Sequence, residues 1–114
     1  MLAELSIKNF AIIEELTISF ERGLTVLTGE TGAGKSIITD AVSLLVGGRG
    51  SSEFVRYGET KAELEGLFLL DSGHPVFEVC REQGIDASDD MIVMRRDINA
   101  GGKSVCRVNG KLVT

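Results

Sequence analysis

The sequence predicts an α/β fold with a mixed sheet, in which antiparallel strands precede a phosphate-binding loop and a buried helix. Three observations carry the prediction. Gly29, Glu30, Thr31, Gly32, Ala33, Gly34, Lys35 and Ser36 read GETGAGKS, which fits the pattern G-x-x-x-x-G-K-[ST]. Leu24, Thr25, Val26, Leu27 and Thr28 form an apolar, β-branched run directly before it, and Ile37, Ile38, Ala41, Val42, Leu44, Leu45 and Val46 follow at helical spacing. Two more strand patterns lie ahead of residue 21. A simple mononucleotide-binding fold begins with the loop's own strand, so this order is informative.

The loop's chemistry follows from its residue types. A triphosphate is a dense anion, and a backbone that curls round it must turn N–H groups inward. Glycine permits that curvature and close approach without a Cβ clash. Lys35 supplies a mobile cation for the β- and γ-phosphates, Ser36 a hydroxyl for Mg²⁺, and the first helical turn its partial positive charge. The cofactors expected are therefore ATP and Mg²⁺.

With 114 residues, 43% of them hydrophobic and 25% charged, the chain has a globular composition and room for one small domain or part of one. It contains no run of 18 apolar residues, and its start, MLAELSIKNF, lacks the flank and core of a signal peptide. A cytoplasmic protein without a membrane partner is expected. Cys80 and Cys106 have no zinc or disulfide-framework spacing and read as buried free thiols. His74, before Pro75, reads as part of a surface turn.

Charge is uneven. The formal net charge is −5, yet residues 91–114 hold Arg95, Arg96, Lys103, Arg107 and Lys111 against Asp97 alone. An acidic chain gives no case for broad nucleic-acid binding. Its basic end could touch a phosphate backbone locally, or be an ordinary solvated hairpin.

In chain order, residues 2–7 read as a strand with Leu5 and Ile7 inward, and Lys8, Asn9 and Phe10 as a short connection. A second strand alternates Ile12, Ile13, Leu16, Ile18 and Phe20 with Glu14, Glu15, Thr17 and Ser19. The helix is expected to start at Lys35 and stop near Gly47 and Gly48. Residues 49–52 read as an exposed loop, and residues 53–56 as either a short strand or a turn. The stretch from Lys61 to Leu70 reads as a strand, exposed at first and buried on both faces later. Pro75 opens a short helix that Gly84 closes. Residues 91–96 and 104–108 form a hairpin about Asn99, Ala100, Gly101 and Gly102, and Asn109 and Gly110 make a second tight turn. Two strands before the phosphate loop point to a head of the ATP-binding-cassette kind.

The stretch LSIKNFAIIEELTISFERGLTVLTGETGAGKSIITDAVSLLVGGRG, with VRYGETKAELEGLF and RRDINAGGKSVCRVNGKLVT after it, resembles the RecN family of bacterial DNA-repair ATPases, relatives of the SMC proteins. The resemblance spans nearly the whole chain. It implies the amino-terminal lobe of a P-loop NTPase head of the ABC/SMC type over residues 1–114. The coiled coil, signature sequence and Walker B strand would lie beyond Thr114. It also implies action in recombinational repair of DNA double-strand breaks, a location at the nucleoid, and three partners: the carboxy-terminal head lobe, a second head in a homodimer, and DNA.

Residue by residue, the resemblance carries residues 29–36 over as the nucleotide site, with Lys35 on phosphate and Ser36 on Mg²⁺. It sets Asn9 beside the bound nucleotide, and gives Arg56 a contact with DNA or the opposite head. Asp40, one turn past Ser36, either orients that hydroxyl or is an ordinary helix carboxylate. Where some relatives carry an arginine after the first turn, this chain has Ala11.

No catalytic residue is expected within residues 1–114. Without a water-positioning carboxylate the stretch should bind nucleotide and not hydrolyse it. Two other readings fit the loop: the ATPase subunit of a membrane transporter, and a non-hydrolysing, nucleotide-dependent interaction module. Against the transporter stands the lack of an aromatic assigned to adenine stacking, since only Phe10 and Phe20 precede Gly29. An isolated lobe is also expected to expose a sheet edge and an apolar face and so to self-associate.

Overall fold

The computed structural model describes residues 2–20, 32–47, 52–71, 73–87 and 90–113, and within residues 32–36 the backbone alone. Six strands form one sheet. They are β1 (Leu2–Phe10), β2 (Ile13–Ser19), β3 (Lys61–Leu69), β4 (Met91–Asn99), β5 (Ser104–Val108) and β6 (Lys111–Val113), in the order β2-β1-β3-β4-β5-β6. Every pairing among them is antiparallel. The strand expected over residues 24–28 lies outside the described residues. Two helices accompany the sheet, α1 (Gly32–Leu45) and α2 (Pro75–Glu82), with a 3₁₀ turn at Ser52–Phe54.

Alternation gives the sheet an apolar and a charged face. Leu5, Ile7, Ala62, Leu64 and Ile98 are almost wholly buried, and Ala41, Leu44 and Leu45 of α1 pack into the same cluster. At one point beneath the helix a side chain larger than glycine's would force a neighbour to move. A Cβ on Gly66 would overlap Leu45 Cδ2 and lie 3.1 Å from Phe68 Cε2. The expectation that β3 is exposed first and doubly buried later is reversed. Ala62, Leu64 and Gly66 alternate as buried residues from the start, and Leu69 is 44% exposed where the strand outruns its cover.

The first strand is longer than expected. Lys8, Asn9 and Phe10 belong to β1, and Ala11 and Ile12 make the turn, which leaves Ile12 76% exposed. Buried positions step by two from Leu5 to Ile7, then by three to Phe10. At Asn9 the backbone takes φ +52° without a break in register to β2, a left-handed conformation that asparagine tolerates better than most side chains. Phe10 then stacks on Phe54 at 5.0 Å between centroids and bridges Val55, so residues 53–56 are both a turn and a one-residue strand pairing.

Turn chemistry behaves as read. Asn109 and Gly110 both take positive φ, as a two-residue type I′ hairpin requires, and the Asn109 side chain ties the turn to Val93 N–H (2.7 Å) and Asp86 O (2.6 Å). Pro75 sits in the first turn of α2. His74 is its N-cap, Nδ1 accepting from Val76 N–H at 3.1 Å, which gives this exposed histidine a structural task. Cys80 is buried and Cys106 half-buried, both free thiols.

The charged face carries an ion-pair chain across β3, β4 and β5. Arg95 bonds Glu63, lies 3.6 Å from Glu65 and donates to Asp97 at 3.1 Å. Lys61 extends the chain at 3.8 Å from Glu63, and Arg107 at 3.6 Å from Asp97. Burial works against the Arg95 cation, but Asp97 and Glu63, then Glu65, outweigh it and raise its pKa above the ordinary arginine value.

Arg95 and Arg107 stand directly opposite one another in register, a like-charge pair that Asp97 neutralises. Asp97→Asn is therefore expected to cost about 1–2 kcal/mol, the loss of two partly screened ion pairs and the return of that repulsion. A shift in the urea midpoint equivalent to less than about 0.3 kcal/mol would show that Asp97 does not hold the pair together.

The apolar face is not fully covered by the described residues. A groove of about 500 Å³ between α2 and strands β4, β5 and β6 is lined by Val76, Val79, Ile92, Met94, Val108 and Leu112. Val79 and Leu112 are more than half exposed.

Candidate functional site

α1 starts at Gly32, inside the GETGAGKS stretch and three residues earlier than expected from sequence. Glycine in a first helical turn leaves the orphan backbone N–H groups sterically open. Gly29, Glu30 and Thr31 lie outside the described residues, as do the side chains of Gly32, Ala33, Gly34, Lys35 and Ser36. The helix runs 14 residues to Leu45. It is followed by Gly47 at φ +124°, the stop that the sequence signals; Gly48 lies outside the described residues. Asp40, one turn past Ser36, is exposed.

Among the described side chains of α1, burial deepens toward the carboxy terminus. Ala41, Leu44 and Leu45 are buried, while Ile37, Ile38 and Val42 are partly so. α1 has no basic residue in its last turn, and the cation that its dipole favours comes from the sheet. Arg96 of β4 is 8% exposed and donates from Nη1 to the Leu44 carbonyl at 2.6 Å and from Nε to Ser104 Oγ at 2.7 Å.

Sequence reasoning missed this residue, although a signal was there. Arg96 has the same parity as Ile92, Met94 and Ile98, so it falls on the apolar face of its strand. A cation at such a position needs a buried acceptor.

Asn9 and Arg56, expected at separate contacts, share a hydrogen bond from Arg56 N–H to the Asn9 carbonyl at 2.8 Å. Asn9 lies within a strand rather than in the turn expected for it. The basic carboxy-terminal hairpin is largely engaged within the chain. Arg95 and Arg107 meet carboxylates, Arg96 holds α1, and Lys111 Nζ donates to Gln83 O at 2.6 Å.

Among the described residues no cluster of three His, Cys, Asp or Glu side chains could hold a metal, and no helix is long and apolar enough to cross a membrane. Residues 29–36 bring one ammonium, at Lys35, and two hydroxyls, at Thr31 and Ser36, to a stretch in which a helix begins at Gly32, a donor set that fits a magnesium-bound triphosphate.

The AAA_23 family model, an AAA domain, matches residues 4–103. The chain belongs to this AAA domain family. A DNA repair protein RecN from Bacillus subtilis (strain 168) is 89% identical over all 114 residues, which make up 20% of that protein. The chain thus spans about a fifth of the length of the curated relatives it matches.

Among solved structures, an SMC ATPase described in work on ATP-driven dimerisation and DNA-stimulated activation superposes with a TM-score of 0.76. It is 26% identical, covering 99% of this chain and 72% of that one. The recombination mediator RecF, solved as its ATPγS form, has the same fold with a TM-score of 0.76 at 24% identity, over 100% of this chain and 28% of that one. The AAA domain here therefore has the architecture of the amino-terminal lobe of an ABC/SMC-type ATPase head, and the RecN resemblance holds along its full length.

Proposed function

We propose that this chain is the ATP-binding lobe of a RecN-like protein that acts in recombinational repair of DNA double-strand breaks. The observation that carries the reading is the start of α1 at Gly32, within a motif that combines open backbone amides with Lys35 and Ser36. Residues 29–36 surround the phosphates, Lys35 pairs with the β- and γ-phosphates, and Ser36 supplies a hydroxyl to Mg²⁺. Asn9 lies beside the nucleotide, and Arg56 faces DNA or a second head. Bound ATP supplies charge for the two heads of a homodimer to share, and a phosphoanhydride whose loss releases them.

Hydrolysis belongs to the whole protein. It needs a water-positioning carboxylate and a partner's signature loop, both of which the RecN resemblance sets outside residues 1–114. DNA, the carboxy-terminal head lobe and a second head are the partners, and the setting is cytoplasmic, at the nucleoid. The 89% identity to a DNA repair protein favours this reading over a transporter subunit.

Titration of the full-length protein with a fluorescent ATP analogue tests it. Saturable binding at about one nucleotide per chain, weakened when Mg²⁺ is chelated, is expected. Failure to saturate at millimolar nucleotide overturns it.

A further inference from the structure

Two independent contacts fix α1 at one end, and both come from the middle of the sheet. Gly66 of β3 lets the helix approach so closely that any Cβ would meet Leu45. Arg96 of β4 grips the Leu44 carbonyl from below and is itself steadied by Ser104 of β5. Gly47 N–H reaches the same carbonyl only at 3.4 Å, so the guanidinium makes the shorter bond to that oxygen. A charge-assisted bond at a helix carboxy terminus is among the stronger single contacts available to a buried carbonyl. The other end of α1 lies about 20 Å away, at 1.5 Å per residue, and carries the phosphate-binding motif.

We infer that Arg96 is a positioning residue for the nucleotide site, coupling the β4–β5 hairpin to the phosphate-binding motif through the axis of α1. The inference rests on the ATP-binding reading above. It needs no contact between Arg96 and nucleotide. A helix clamped at its carboxy-terminal turn behaves as a lever: a tilt of about 5° at the clamp moves its first turn by about 2 Å. Displacements of about 1 Å are enough to degrade a preorganised site by a large factor. The linkage is reciprocal, so nucleotide that fixes the amino-terminal end also steadies the hairpin that holds the other end. Arg95 and Asp97 flank Arg96 and lock β4 to β3 and β5 on the opposite face, which keeps the clamp from following the helix.

The test uses the full-length protein, Mg-ATP and the variants Arg96→Met, Arg96→Lys, Ser104→Ala and Lys35→Ala. Arg96→Met, similar in length but without charge, is expected to weaken Mg-ATP binding by roughly tenfold. Arg96→Lys restores part of that loss, because an ammonium can still reach the carbonyl. Ser104→Ala weakens binding about twofold to threefold. Hydrogen exchange of the wild-type protein gives a readout that a purely structural role would not move: Mg-ATP slows amide exchange across residues 96–104.

If Arg96→Met does not fold, the wild-type exchange and the Ser104→Ala titration decide. Binding abolished by Lys35→Ala but unchanged in the Arg96 and Ser104 variants, with hairpin exchange indifferent to nucleotide, overturns the coupling alone. No Mg-ATP binding by the wild-type protein overturns the nucleotide reading beneath it.

Discussion

Lys35→Ala in the full-length protein is expected to lower Mg-ATP affinity by at least about 100-fold while leaving the denaturation midpoint nearly unchanged. The magnitude follows from the chemistry. Each hydrogen bond to a charged partner contributes about 1.5–3 kcal/mol, and an ammonium bridging two phosphates makes two of them. Some 3 kcal/mol is therefore lost, and 1.4 kcal/mol corresponds to a factor of ten in affinity. Stability should not follow, because the buried described residues that anchor α1, Ala41, Leu44 and Leu45, lie two to three turns away. Nucleotide titration paired with urea denaturation of the same variant separates the two quantities. Wild-type affinity in the variant would remove Lys35 from the site, and a lowered midpoint would give it a structural role instead.

Gly66→Val is expected to cost about 1–3 kcal/mol, the usual range for forcing extra methyl groups into a packed contact. The backbone itself does not require glycine here, since Gly66 is not among the glycines with positive φ. Its need is space: the added Cβ meets Leu45, a residue only 3% exposed that must rotate within the core to make room. Valine's preference for strands works the other way and keeps the loss below that of a pure overlap.

A double-mutant cycle isolates the cause. Leu45→Ala alone should cost about 2–4 kcal/mol by leaving a cavity, but combined with Gly66→Val the losses should fall short of additive by more than about 1 kcal/mol. Strict additivity would mean that α1 is free to shift on the sheet. That outcome would also undermine the lever argument for Arg96, because the helix would then lack the close seat that its fixed axis depends on.

Local residue patterns carried much of the fold. The apolar alternation of β1 and β2, the Asn109–Gly110 turn, Pro75 opening α2, and the glycine after α1 are all short-range signals, and each acts through the backbone of its own few residues. The three-residue step between Ile7 and Phe10 escaped such reading. It exists because Phe10 is drawn into the core by Phe54, some forty residues away. The early burial of β3 is likewise decided by α1 lying over Gly66, a contact between elements distant in sequence.

By itself the sequence determined which residues match the phosphate-binding pattern and that a helix follows them, since both depend on residue type and spacing within a dozen positions. Only the tertiary structure decided where the basic residues of the last hairpin go. Charge counting made them a candidate surface, whereas pairing β4 with β3 and β5 puts carboxylates beside Arg95 and Arg107, and turns Arg96 inward against Leu44. The reason is physical: an arginine's electrostatic role depends on which acceptors lie within a few ångströms, and sheet register, not chain proximity, sets that neighbourhood.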